Sequence, residues 1–297
     1  MSVSAAYAGV VTIWSTTPLA IQWSAQGAGF ALAVFARMAI GFAVCLALLA
    51  VTRTALPWHA AARRLYAISG VSLCASMLLT YWGALYVPSG LISVIFGLSP
   101  LATGVFAALW LSERSLTPRR LAGLAIALAG LWLIFGQPWP GGRNATLGTA
   151  AVVGGMVVQA LGLVWIKRLD VRISPLAITS GSLGVALPGF ALAWVFAAPA
   201  HGPADLTPRA GAAIVYLGVL GSVVGFTLYY YVIKHLDAGR VALITLITPV
   251  AALLLGQALN AEYIPARGWA GIVLTGAGLV LYEWQALRLL RRPLPAS

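Results

Sequence analysis

One stretch of this chain returns at a fixed offset. Shifted by 149 positions, Tyr81, Gly90, Ile95, Pro100, Ala102 and Glu113 fall on Tyr230, Gly239, Ile244, Pro249, Ala251 and Glu262. Identity over those 33 positions is low, in a chain rich in alanine and leucine, but Tyr, Gly, Pro and Glu keep their order. Beyond the glutamates the echo continues with one residue deleted, Arg120-Leu121-Ala122-Gly123 answering Gly268-Trp269-Ala270-Gly271. Self-similarity at a fixed offset means copies of one structural unit, and it decides the fold before any single element does.

The unit is built for lipid. Of 297 residues, 61% are hydrophobic and 8% charged, against about 25% charged in soluble domains; mean hydropathy is +0.95. Several uncharged apolar runs reach the ~20 residues that cross ~30 Å of hydrocarbon. We expect ten spans: Ala5–Trp23, Leu32–Val51, Leu65–Tyr86, Pro88–Leu111 and Pro118–Phe135, then Leu147–Ile166, Pro175–Ala197, Ala210–Ile233, Ala238–Leu259 and Pro265–Leu287. The turn-rich stretch from Gly136 to Gly142 divides them into units 1–137 and 145–290. The N-terminus lacks a basic leader region and many spans follow the first, so that first run is expected to be a span and not a cleaved signal.

A net charge of +12 would suggest nucleic acid in a soluble protein. Its distribution explains it differently. With the N-terminus inside, Arg53, Arg63, Arg64, Arg114, Arg119, Arg120, Lys167, Arg168, Arg172, Lys234, Arg240, Arg288, Arg291 and Arg292 face the cytoplasm. Only Arg143, Arg209 and Arg267 face outward, and Arg37 lies within a span. Cytoplasmic loops of membrane proteins carry such an excess. Five spans per unit is an odd number, so the second unit enters the membrane upside down. The expected fold is an all-α membrane protein with ten transmembrane helices in two inverted five-helix repeats, both termini cytoplasmic. Inverted repeats are the architecture of secondary transporters, with a midplane site between the halves.

The residues Tyr81, Ala84-Leu85-Tyr86, Ser89, Ser93, Pro100-Leu101, Glu113, Gly123 and Gly130 resemble an EamA-type unit of the drug/metabolite transporter superfamily. Tyr230, Gly239, Pro249, Glu262, Gly271 and Gly278 repeat the pattern, and Trp14, Thr17, Pro18 and Arg37 fit the same family. The resemblance covers nearly the whole chain. It implies a cavity lined by the first, third, fourth, sixth, eighth and ninth spans, and export of amino acids and other small metabolites from the inner or plasma membrane.

The candidate substrate-binding residues are Trp14, Tyr81, Ser93, Pro100, Gln159, Tyr230, Thr245 and Pro249, each with a plainer alternative. Pro100 and Pro249 lie near the middles of paired spans, where a proline removes an amide donor and bends the helix. Such a bend presents carbonyls to a cavity or packs as a kink. Tyr81 and Tyr230, at opposite membrane depths, are gate residues or members of the interfacial aromatic belt. Gln159 needs a polar partner or water. The hydroxyls of Thr17, Ser93, Ser222, Thr245 and Thr248 can turn back onto their own helices. Arg37 is a charge inside a span and calls for a partner; Glu262 is the expected one, in a structural pairing. Gly221 and Gly225 suit close helix packing.

No Asp or Glu falls in the middle of a span. That favours uniport or exchange over proton coupling, and it disfavours cation efflux through a carboxylate in the first span. A membrane enzyme is disfavoured by the lack of HExxH, GxSxG or a phosphate-cradling loop. Cys45 and Cys74 sit in apolar runs with no metal-ligand spacing. The expected partners are a small-molecule substrate and membrane lipid, with no cofactor, metal or nucleic acid, in a monomer or homodimer.

Overall fold

The structure is a computed structural model that describes residues 2–111, 117–135, 142–169, 171, 173–197, 206–236 and 238–284. Glu113 lies outside these residues, as does the side chain of Tyr230. Among the described residues every regular element is helical. In chain order these are α1 (Val3–Ala28), α2 (Phe30–Thr52), α3 (Ala60–Gly83), α4 (Ser89–Gly97), α5 (Ser99–Trp110) and α6 (Pro118–Phe135). There follow α7 (Gly142–Leu169), α8 (Pro175–Phe196), α9 (Pro208–Tyr216), a π-helical segment (Leu217–Val224), α10 (Gly225–His235), α11 (Ala238–Asn260) and α12 (Ala266–Tyr282).

Seven helical stretches among the described residues are long and apolar enough to cross a membrane. α1, α6 and α12, which cover the expected first, fifth and tenth spans, are not among them. α12 has only 17 residues. The reverse from α1 into α2 takes a single residue, Gly29 at φ +75°, a conformation open to glycine because it has no Cβ.

Two long helices depart from regularity. α4 stops at Gly97 and α5 begins at Ser99, with Pro100 in its first turn. The backbone tightens there, the Leu98 amide donating to the Ile95 carbonyl and the Leu101 amide to the Leu98 carbonyl, both at 3.0 Å. Proline tolerates a first turn because that amide has no helical acceptor anyway. Its counterpart in the repeat, Pro249, stays inside an unbroken α11. Between α9 and α10 the ladder widens into the π segment, in which the Ser222 hydroxyl donates to the Leu217 carbonyl at 3.0 Å. Short π segments inside α-helices often mark functional sites.

Close backbone approach holds the bundle together, as expected where lipid removes the hydrophobic drive between helices. α3 packs on α7 and α8, and α4 on α11. A Cβ on Gly70 would stand 2.6 Å from the Ser182 carbonyl, and one on Gly90 2.7 Å from Leu253 Cα. α12 packs almost wholly on α6. α1 runs through the middle, against α2, α4, α9, α10 and α11. The main core includes Tyr81, Leu91, Ile95, Phe190, Leu217 and Leu253.

Candidate functional site

Where α1 ends and α4 begins, side chains from three helices form one polar clasp. Asn260, the last residue of α11, donates through Nδ2 to Gln22 Oε1 of α1 at 2.8 Å and to Glu262 Oε1 at 3.0 Å. Asn260 Oδ1 accepts from Trp23 Nε1 at 3.0 Å. Gln22 Nε2 donates to the Val87 carbonyl at 3.2 Å. The Glu262 carboxylate accepts the first two amides of α4, Ser89 at 3.1 Å and Gly90 at 3.4 Å. A carboxylate is favoured there by orphan amides and by the helix dipole together. The Arg209 guanidinium stacks 3.7 Å over the Trp23 ring and donates to the Leu259 carbonyl.

The backbone that aims Glu262 is specific. Ala261 takes φ +49°, and the Glu262 amide reaches back to the Gly256 carbonyl at 3.3 Å. α11 thus ends on a left-handed residue, and an amide six residues on closes one of its last carbonyls. A Cβ on Gly256 would stand 2.5 Å from Glu262 Oε2, so the glycine leaves room for the carboxylate.

Deeper in the bundle Arg37 is 6% exposed. Its Nε donates to Ser222 Oγ at 3.3 Å and its Nη1 to the Tyr81 hydroxyl at 3.2 Å. The expected pairing of Arg37 with Glu262 is therefore corrected: the carboxylate is committed to α4, and the arginine to the π segment and α3. Sequence could name both residues but not the fold-back at Ala261 that directs Glu262 elsewhere. A double-mutant cycle should show Arg37→Ala and Glu262→Ala to be additive in melting free energy. Arg37→Ala with Ser222→Ala should couple by about 0.5–3 kcal/mol. Coupling in the first pair alone would reverse the assignment.

The other candidates are distributed as follows. Tyr81 is fully buried with its hydroxyl on Arg37. Trp14, partly exposed, packs on Tyr229 (centroids 4.6 Å apart) and Phe226 (6.1 Å). Gln159 Oε1 accepts a long hydrogen bond, 3.5 Å, from Ser76 of α3. Ser93 is buried on α4. Pro100 and Pro249 are partly buried, and the α4–α5 break meets Pro249: a Cβ on Gly97 would stand 3.1 Å from Pro249 Cγ and 3.6 Å from the Thr245 carbonyl. Pro249 has no amide to offer that carbonyl, four residues before it. The structure thus brings Pro249, Thr245 and the α4–α5 break together, and places Trp14 against α10 in a cluster with Val232 and Ile244. Gln22, Asn260 and Thr16 were missed. The signal was available for two of them, amide side chains at the ends of apolar runs; Thr16 meets the Tyr216 hydroxyl at 2.5 Å only through the fold.

Apolar helices with a proline-broken rod, a π segment and polar side chains joined inside the bundle define a polytopic membrane transport protein. The EamA-like transporter family matches residues 3–136 and again 146–284, and the chain belongs to that family. A probable terminal-alkyne amino-acid exporter of Streptantibioticus cattleyicolor is 27% identical over 288 residues, 95% of this chain and 94% of its own. The uncharacterized inner membrane transporter YedA of Escherichia coli K12 is 26% identical over 195 residues, 63% of this chain and 59% of its own. A protein of known crystal structure shares the fold with a TM-score of 0.65 at 22% identity, over 97% of this chain and 98% of its own. The protein is a multi-pass transporter of the inner or plasma membrane.

Proposed function

We propose that the protein exports small amphipathic metabolites, amino acids foremost, by alternating access between two inverted five-helix halves. The observation that carries this reading is the close approach of the two repeat prolines' helices, with the broken α4–α5 rod of one half seated against Pro249 of the other. Interrupted backbone at membrane depth is tolerated where it is buried in protein or lines a water-filled path. The amino-acid class is supported by the exporter that resembles this chain over 95% of its length.

With both termini cytoplasmic, as the basic residues require, the clasp of Gln22, Asn260 and Glu262 closes the outer end. Trp14, Ser93, Pro100, Gln159, Thr245 and Pro249 are assigned to the substrate path. Tyr230 is assigned to the inner exit and Tyr81 to the support of Arg37. Uniport or exchange accounts for a chain with no carboxylate in the middle of a span.

The test is flux in proteoliposomes preloaded with labelled amino acids and kept free of ion gradients. Efflux down the amino-acid gradient is expected, accelerated by unlabelled substrate outside if exchange operates. No movement of any amino acid in the panel would remove the substrate assignment; movement only with a proton gradient would remove uniport and exchange. Reporter fusions after Arg63, Arg119 and Arg168 should read cytoplasm, and those after Asn144 and Ala204 the outside. One reversed reporter breaks the ten-span topology at that point.

A further inference from the structure

α9 and α10 are one rod in two pieces, and the π segment that joins them is held wide from outside. At the ends of α9 and α10 an amide bonds the carbonyl four residues back, Leu217 to Ala213 and Leu236 to Val232. At the end of the π segment the ladder is one residue wider, the Gly225 amide reaching the Leu220 carbonyl. Wide turns of this kind are rare and short, so something must select this one. Ser222 does so: its hydroxyl donates to the Leu217 carbonyl, five residues back, at 3.0 Å. In an α-helix such a hydroxyl turns back three or four residues instead, as Thr227 does onto the Val223 carbonyl at 2.8 Å. Ser222 Oγ in turn accepts from Arg37 Nε at 3.3 Å, and Arg37 Nη1 donates to the Tyr81 hydroxyl at 3.2 Å. The buried guanidinium of α2 thus ties the wide turn to α3. Backbone contact supports it, for a Cβ on Gly218 would stand 3.1 Å from the Arg37 carbonyl.

The two pieces are anchored differently. α9 is fixed to α1 by the Thr16 and Tyr216 hydroxyls at 2.5 Å, and by Gly27, whose Cβ would stand 2.7 Å from Ala210 Cβ. α10 meets α1 through rings and aliphatic tips: Trp14 against Phe226 and Tyr229, and Gly9, whose Cβ would stand 2.9 Å from Leu228 Cδ1. These contacts close the end of the bundle at which α1 begins, where Val10 and Val232 are buried in one cluster. Narrowing the π turn to α-helical bonding would advance α10 by one residue, a rotation of about 100°. Thr227 would then stand where Leu228 stands, and Gly225 and Leu228 where Phe226 and Tyr229 stand. Trp14 would lose both ring partners. Either ladder bonds the backbone internally, so the change is open to a helix within lipid.

We propose that the π segment is a register switch for α10, held in its wide form by Arg37 acting through Ser222. Release of that hydrogen bond narrows the turn, rotates α10 by one residue and opens the end of the bundle where Trp14 packs. This rests on the alternating-access reading above and assigns a moving part to it: in the proposed topology the end that opens is the inner exit. Arg37, Ser222 and Tyr81 are positioning residues, and the two registers are the states whose balance they set.

The experiment is disulfide crosslinking of the full chain with Cys45 and Cys74 replaced by alanine, carrying Gly9→Cys together with either Leu228→Cys or Thr227→Cys. With Ser222 in place the Leu228 pair is expected to crosslink in preference. Ser222→Ala should raise the yield of the Thr227 pair relative to the Leu228 pair by about tenfold, the effect of one lost charge-assisted hydrogen bond. Tyr81→Phe removes only the far end of the chain of bonds. It should move the ratio the same way by less, and it decides the matter if Ser222→Ala fails to fold. An unchanged ratio, or a fall in both yields together, would overturn the switch and make Arg37 a brace between helices. In proteoliposomes, oxidation of the Leu228 pair should stop amino-acid flux and reduction should restore it. Flux that survives oxidation would overturn the switch and leave the transporter reading standing. The expected crosslinking pattern, in protein that moves no amino acid even when reduced, would do the reverse.

Discussion

Replacing Glu262 with alanine is expected to cost about 2–3 kcal/mol of stability in the closed state, from a lost helix cap and charge-assisted hydrogen bonds. The carboxylate holds the Ser89 and Gly90 amides and the Asn260 side chain at once. No other described side chain bonds those two amides. The clasp joins α1 and α4 of one half to α11 of the other, so its loss falls on the arrangement in which they meet. A conformational equilibrium moves only by the free energy that distinguishes its states. A cost of about 2 kcal/mol would shift it roughly thirtyfold toward an open outer end. Membrane-impermeant thiol labelling of Ser93→Cys, with Cys45 and Cys74 replaced, reads this directly. Labelling from outside should rise in Glu262→Ala and rise less in Glu262→Gln, which keeps one carbonyl acceptor. Unchanged labelling together with an unchanged melting temperature would show that the clasp does not hold the end shut.

The largest effect on folding is expected at Gly278. A Cβ there would stand 2.5 Å from the Ala127 amide nitrogen and 2.6 Å from the Gly123 carbonyl, both of them backbone atoms that cannot turn aside. Gly278→Val should therefore force α12 off α6, and overpacking of this kind costs about 3 kcal/mol or more when backbones must separate. α12 has little other packing to fall back on. Gly276 lies on the same helix with nothing within 4 Å of its Cβ position. Gly276→Val should thus change stability by only about 0.5 kcal/mol. Detergent melting of the two variants side by side tests the assignment. Equal losses would mean that helix propensity, and not the α6–α12 contact, sets the cost.

The repeat, the basic residues and the apolar runs carried the helical membrane character and the transporter class without any coordinates. These are properties that lipid imposes on a chain one segment at a time: each span must bond its own backbone and shed its charges. Pairings between distant side chains were not legible. Pro100 and Pro249 look equivalent in sequence, yet only Pro100 falls where a helix divides, while α11 runs unbroken through Pro249. Gly221 reads as a packing glycine, and only the fold shows that Arg37 and Thr17 are what pack against it. Arg37 and Glu262 are opposite charges that sequence alone would join. A single left-handed residue, Ala261, turns the glutamate onto the start of α4. Local rules determined which segments enter the membrane; the directions in which a few backbone turns aim buried polar groups, set by packing across the two halves, decided what meets inside it.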